Sequence, residues 1–421
     1  MIVHQASISD TTDRIHSWSP CGDVLTLITN RDGPMEVHIN QMEPAVDELF
    51  CQLAAKLSSL FPSEMELPPE PKWNLKDNIG ANKSFVDQSD FSAIMVPLYT
   101  KFKALMQSPK EASHQKSPNS TFQLDSSWLE SEQEVLEKIF LILLLTGGGI
   151  PPRTFSIAAL QYRKTTSEKR NLYFLNDTLC FIWPKAKCNS LAKGSSSESL
   201  FAYPPRLNWF IFIYLGIIRK FTIETMKEQN LFLGEMDNKL FVYTTKSKRG
   251  SSWDAHTMNS VLGNLTEHIF NSKSTVPDMR QLMQAIYSQY FEMGRKGTGI
   301  MEATANRMGN HSLTVAVNWY GRTTSKENDW IQPCIACSKA WHCWLGLIPY
   351  DPIISSHFGS LPFLQRRENK LVANDTASHW INGKDLRVLE KLGLKELISK
   401  LLSKVRLSKY LLLSEDLMLS Y

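Results

Sequence analysis

The chain has 421 residues and a formal net charge of +4, with 46 Lys and Arg against 42 Asp and Glu, and 43% of its residues are hydrophobic. At roughly 150 residues per domain this length fits two or three domains whose cores need neither disulfides nor metal. Twenty Gly and twenty Pro, with apolar runs along most of the chain, exclude collagen-like, low-complexity and wholly disordered classes. The near-balanced charge leaves nucleic-acid binding open, to be carried by a local basic groove.

Residues 1–20 are polar and include acidic groups, so no secretory signal is expected there. The most apolar runs, Ile139–Leu145 and Trp209–Ile218, fall short of the ~20 residues that span a bilayer, and no membrane association is expected. The seven cysteines are scattered and odd in number, which reads as a reduced, intracellular chain.

Residues 1–107 read as a helical region with loops. Within Pro44–Phe61 the apolar positions 49, 50, 53, 57, 60 and 61 form one helical stripe. Phe91–Met106 reads as a second helix, kinked at Pro97. Residues 108–126, polar and with two Ser-Pro pairs, read as a linker.

A compact domain is expected over residues 127–330, mainly α with a small β-hairpin or sheet. Glu130–Leu145 is a strong helix closing at Gly147-Gly148-Gly149, and Arg153–Tyr162 reads as the next helix. Asn176-Asp177 between two β-rich runs signals a two-residue hairpin turn. Lys185–Ser199 reads as a polar loop, followed by helices over Leu207–Phe221, Thr257–Phe270, Met279–Met293 and Ser312–Tyr320. Residues 331–421 read as a C-terminal extension with a Leu-rich amphipathic helix at about 386–402.

Four elements then occur in order. Thr146-Gly-Gly-Gly-Ile-Pro-Pro-Arg153 opens a helix, and a hairpin runs into Trp183-Pro-Lys185-Ala-Lys187. Asp278-Met-Arg280 opens another helix, and His311 stands nine residues before Tyr320, with Gly321-Arg322 after it. In this order and spacing the chain resembles the tyrosine recombinases, the phage-integrase-like strand-exchange enzymes. Together with Ser338-x-x-Trp341-His342, it is similar to those of fungal Crypton-like mobile elements and those beside fungal RecQ-type helicases.

The resemblance implies an integrase-like catalytic domain with a DNA-clamping N-terminal helical domain. It implies double-stranded DNA as substrate, a homo-oligomer on DNA and a nuclear location. Tyr320 would attack the scissile phosphate and form a 3′-phosphotyrosyl link. Arg153 and Arg280 would grip its non-bridging oxygens. Lys187, with Lys185 as understudy, would protonate the leaving 5′ oxygen, and His311 would donate to the phosphate. Two guanidinium groups supply the positive charge, so no metal or other cofactor is implied.

Tyr320 and His311 on one straight helix would face opposite ways, about 13 Å apart in rise. The pair can share a phosphate only if His311 precedes that helix, with Ser312 or Thr314 as its cap, or if the helix bends. Pro277 stands where the family carries a His three residues before the second Arg. That departure keeps open a DNA-binding remnant without catalysis, and a helical interaction protein without nucleic acid stays open as a third reading. Lys246, Lys248 and Arg249, with Trp253 after them, and Arg322 are further expected DNA contacts, against a solvated basic loop as the plain alternative. Cys334, Cys337, His342 and Cys343 are zinc-ligand types. Four residues between the pairs is a short loop to wrap a metal, so no site is expected. No phosphate-binding loop of the Walker type is present.

Overall fold

The fold is described from a computed structural model covering residues 16–19, 22–29, 33–65, 70–77, 83–107, 124–166, 169–184, 198–231, 234–245, 248–291 and 331–349. Two compact units divide the chain at Gly359 and Ser360, and the second lies outside the described residues. The expected helices at 312–320 and 386–402 also lie outside them.

The first unit is mainly helical with two small antiparallel three-stranded sheets. The sheet at its N-terminal end corrects the expectation of helices and loops alone there. Strands β1 (His16–Trp18), β2 (Val24–Thr29) and β3 (Gly33–His38) form a meander with Val24 opposite His38. Period-two alternation makes the sheet: Leu25, Leu27, Met35 and Val37 are buried on one face, with Thr26 and Glu36 between them.

Helix α1 (Met42–Ser59) follows, as the apolar stripe predicts, and lays Val46, Leu49, Phe50, Leu53 and Leu57 inward. It packs against α3 (Ser126–Thr146), capped by Asp125, whose carboxylate accepts from Trp128 N at 2.8 Å. Every residue of α3 from Ile139 to Thr146 is buried, as befits a helix that is apolar all round. Helix α2 (Ser89–Gln107) runs through Pro97, which faces solvent.

The second sheet holds β4 (Leu172–Leu175), β5 (Thr178–Pro184) and β6 (Glu198–Ala202). Asn176 and Asp177 both adopt positive φ, 49° and 58°, the backbone a two-residue hairpin turn requires. Two expectations are corrected. The stretch expected as loop ends in a strand, and the helix opened by Arg153, α4 (Thr154–Ala158), is one turn and a half rather than reaching Tyr162. There the chain turns to pair with Asn171, whose side chain accepts from Gln161 N at 2.6 Å.

The helix after β6 is broken in an informative way. Between α5 (Pro205–Ile213) and α6 (Arg219–Glu228), residues Tyr214–Ile218 form a π-turn. In an α-helix residues five apart point about 140° away from each other. The wider turn brings Tyr214 and Arg219 together on Glu132 Oε1 of α3, each at 3.0 Å, and all three are buried. Gly216 lies in this turn against Met95 and Phe91 of α2, where a Cβ would stand 3.0 Å from Met95 Cγ.

Helices α7 (Ala255–Phe270), α8 (Val276–Phe291) and α9 (Ile331–Trp344) complete the unit. Helix α9, expected in a C-terminal extension, packs on β6 and α3. Residues on either side of the expected linker share one core. Trp73, Phe85, Phe91, Phe174 and Phe212 form a continuous aromatic cluster. Asp77 pairs in bidentate fashion with Arg170 at 2.5 and 2.8 Å and accepts from Phe174 N at 2.9 Å.

The side chains of Arg170 and Asp77 are 2% and 0% exposed. Removing one of them leaves a buried charge behind. Asp77→Ala is expected to cost about 3–5 kcal/mol in urea unfolding. Removing the exposed partner of Arg206, Asp47→Ala, should cost under about 1 kcal/mol.

Candidate functional site

The site is built at the C-terminal end of α3. An α-helix leaves its last carbonyls without internal partners, and this end is buried, so other groups must supply donors. Helix α9 does so. Trp341 Nε1 donates to Leu145 O at 2.7 Å, His342 Nε2 meets Thr146 O at 2.7 Å, and Ser338 Oγ donates to Gly147 O at 2.8 Å. Residues 338, 341 and 342 share one helical face, which is the physical content of the Ser-x-x-Trp-His spacing. Ser338 Oγ also accepts from Ala202 N at 3.1 Å, tying the helix end to β6.

The glycines after α3 are needed for this closure. Gly148 and Gly149 have φ of +70° and +66°, and a Cβ on Gly148 would lie 2.4 Å from Ser338 Cα. Helix α8 holds the rest of the loop. Tyr287 Oη accepts from Gly149 N at 2.6 Å, and its ring stacks on Trp341 at 5.3 Å. Arg280 donates to Pro151 O. The loop 147–152 thus reaches Arg153 with its backbone fixed from two helices, and Ile150, Pro151 and Pro152 are buried along it.

This loop brings the two expected arginines together. Arg153 is the N-cap residue of α4, and its carbonyl accepts from Ser156 N and Ile157 N. Its side chain makes no capping bond and no ion pair among the described residues. Arg280 is 7% exposed, and burial together with the positive charge of Arg153 lowers its pKa to about 10. It remains cationic at neutral pH. Two like charges, one buried and one half-buried, therefore lie within electrostatic reach of each other, with Arg280 bonded to the backbone two residues before Arg153. Such a pair suits an anion with oxygens to share between two planar forks.

The start of α8 explains Pro277. Thr275 and Asp278 form a reciprocal cap: Asp278 Oδ2 accepts from Thr275 N at 2.8 Å, and Asp278 N donates to Thr275 Oγ1 at 3.4 Å. Pro277 occupies the first turn, where a missing N–H costs nothing. The cap sets the direction of α8, and with it the placement of Arg280 and Tyr287.

The other expected site residues divide into two groups. Lys185, Lys187, Lys246, His311, Tyr320 and Arg322 lie outside the described residues. The strand that leads to Lys185 ends beside α4, since Trp183 meets the Phe155 ring edge-on at 6.3 Å. Lys248 and Arg249 are described, and both are engaged locally. Lys248 Nζ pairs with Asp254 Oδ2 at 2.9 Å, and Arg249 Nε donates to Thr244 O at 3.3 Å. Both Asp254 and Thr154 line one cleft, so this turn borders the helix that Arg153 opens.

Sequence reasoning did not identify Tyr287, Ser338, Trp341 or His342 as the frame of the loop. The i, i+3, i+4 spacing of the last three was the available signal. Nothing local marks Tyr287. Cys334, Cys337, His342 and Cys343 all lie on α9 or its last turn, and no group of three or more His, Cys, Asp or Glu side chains that could hold a metal occurs among the described residues. His342 faces a carbonyl, and Cys343 Sγ donates to Pro349 O at 3.2 Å.

Burial pushes the His342 imidazole down to about 4, against the pull of the carbonyls it meets. In the unfolded chain it takes its proton near 6.5. Between those values the unfolded state holds the extra proton, so stability falls as pH drops from about 6.5 to about 4, by up to about 3 kcal/mol. Urea unfolding across this range should show the loss in wild type and a shallower slope in His342→Asn. Parallel slopes would contradict the buried, neutral imidazole.

Compared with known proteins, the chain matches no family model, no curated protein and no solved structure.

Proposed function

We propose that the chain binds double-stranded DNA through a backbone phosphate held between Arg153 and Arg280. We further propose that it cleaves and rejoins a strand through a 3′-phosphotyrosyl intermediate, as a tyrosine recombinase of mobile-element type. The observation that carries this reading is the convergence of Arg153 and Arg280 from distant parts of the chain onto one pinned loop. These were the two arginines that the motif order singled out.

The chemistry follows from the residue types. Two guanidinium forks in a partly dry site favour a phosphate whose charge grows in the transition state. In the proposed step the Tyr320 phenolate oxygen forms a bond to phosphorus as the bond to the 5′ oxygen breaks. Lys187 gives that leaving oxygen its proton, and His311 donates a hydrogen bond to the phosphate. The phosphotyrosyl bond then retains the energy needed for religation. Nuclear action as a homo-oligomer on DNA belongs to the same proposal.

A second reading, a DNA-binding remnant without strand cleavage, is favoured by Pro277. At that position a capped first turn carries no side chain able to move a proton. The third reading, an interaction protein without nucleic acid, gives no reason for two like charges to be held together in a partly buried site.

Nicked suicide duplexes separate the readings. Wild type should form a protein–DNA adduct that survives denaturing electrophoresis, and Tyr320→Phe should form none while still binding DNA. Salt-dependent binding without any adduct, even at high protein concentration, would establish the remnant and reject the enzyme. Absence of binding at low salt would reject both.

A further inference from the structure

Few large hydrophobic side chains stay exposed among the described residues, and Phe155 is one of them, at 54%. It sits two residues after Arg153, while its neighbours Ser156 and Ile157 turn inward. Its ring stands edge-on to Trp183, with 68° between the planes, on the side from which β5 leaves the sheet. On another side it borders a cleft of about 290 Å³, shared with Thr154, Ala158, Ala159, Lys239 and Trp253.

The charged groups of this cleft already have partners, and Trp253 Nε1, which has none among the described residues, is itself buried. Lys239 Nζ binds Glu235 Oε1 at 3.1 Å and Ser252 Oγ at 3.0 Å, and Asp254 accepts from Thr257 N and from Lys248. What remains for a ligand is apolar: the exposed Phe155 ring and two half-buried alanine methyl groups, with Trp253, 2% exposed, adding little surface. A highly polar ligand would find few open partners in it. A heteroaromatic ring would gain stacking and dispersion.

We propose that Phe155 is a stacking platform for one unpaired nucleobase adjoining the phosphate held by Arg153 and Arg280. This rests on the DNA-binding reading above and adds the state of the DNA to it. Only Thr154 separates the cation from the ring in sequence, so their Cα atoms are no more than about 8 Å apart, within the reach of one nucleotide. A base inside a duplex has both faces covered, so only one that has left the stack can cover the ring. A single cleft of this size holds one such base and not a paired step. The preferred substrate is therefore a duplex with an unstacked base beside the bound phosphate.

Two duplexes of the same sequence test this with the full chain, one fully paired and one carrying a single 2-aminopurine bulge. Wild type should bind the bulged duplex roughly tenfold more tightly and change the fluorescence of the 2-aminopurine. Phe155→Ala should lose both effects with its affinity for the paired duplex unchanged, and Phe155→Trp should keep them. Exposure of Phe155 makes loss of folding in these variants a poor explanation for either result. Equal binding of both duplexes by wild type, or a preference that survives in Phe155→Ala, would overturn the platform and leave DNA binding standing. Failure to bind either duplex would overturn the platform and the DNA-binding reading together.

Discussion

A buried helix end with unmet carbonyls is the constraint on which the arrangement depends. Helix α3 runs through the middle of the first unit, and its C-terminus has no access to water that could satisfy Leu145, Thr146 and Gly147. Indole, imidazole and hydroxyl groups of α9 meet those three carbonyls in sequence. An unmet buried carbonyl costs about 1–3 kcal/mol, so three together are comparable with the net stability of an ordinary domain. Helix α9 is therefore part of the fold of residues 127–291, however far along the chain it lies.

The same closure shapes the site. Once the helix end is fixed, the loop has one way out, through two left-handed glycines and two prolines to Arg153. Tyr287 and Arg280 of α8 take hold of its remaining polar groups. Arg280 thus positions the loop through Pro151 O, and in the proposed function the same side chain would meet the phosphate. Holding Arg153 beside it works against electrostatics. Rigid support of a repulsive pair is what a preorganised anion site requires, since the cost is met in folding rather than at binding.

Much of this was legible in the sequence. Helices α1 and α3 follow from apolar periodicity, and the β4–β5 turn follows from Asn176-Asp177. Arg153 and Arg280 were found through motif order, and both stand at or near helix starts as expected. The N-terminal sheet was missed because its strands are short and its alternation mixes Thr and Glu into a polar stretch. Strand β6 was hidden by the Ser-rich loop before it, although Leu200 and Phe201 are buried. Tyr287 had no local signal, because its role exists only once α8 crosses the loop after α3. The Ser338, Trp341 and His342 spacing was visible as a motif. Its function as a cap needed the position of a carbonyl row some 196 residues away.

The pinned loop holds the Arg153 charge against that of Arg280. The most direct measurement is the urea unfolding free energy of Arg153→Met at neutral pH and low salt. The side chain of Arg153 caps nothing, so its removal takes away repulsion without breaking a bond of the loop. The variant is expected to be more stable than wild type, by a few tenths to about 1 kcal/mol, with the gain shrinking as salt is added. A variant less stable than wild type, or a gain indifferent to salt, would contradict that repulsion.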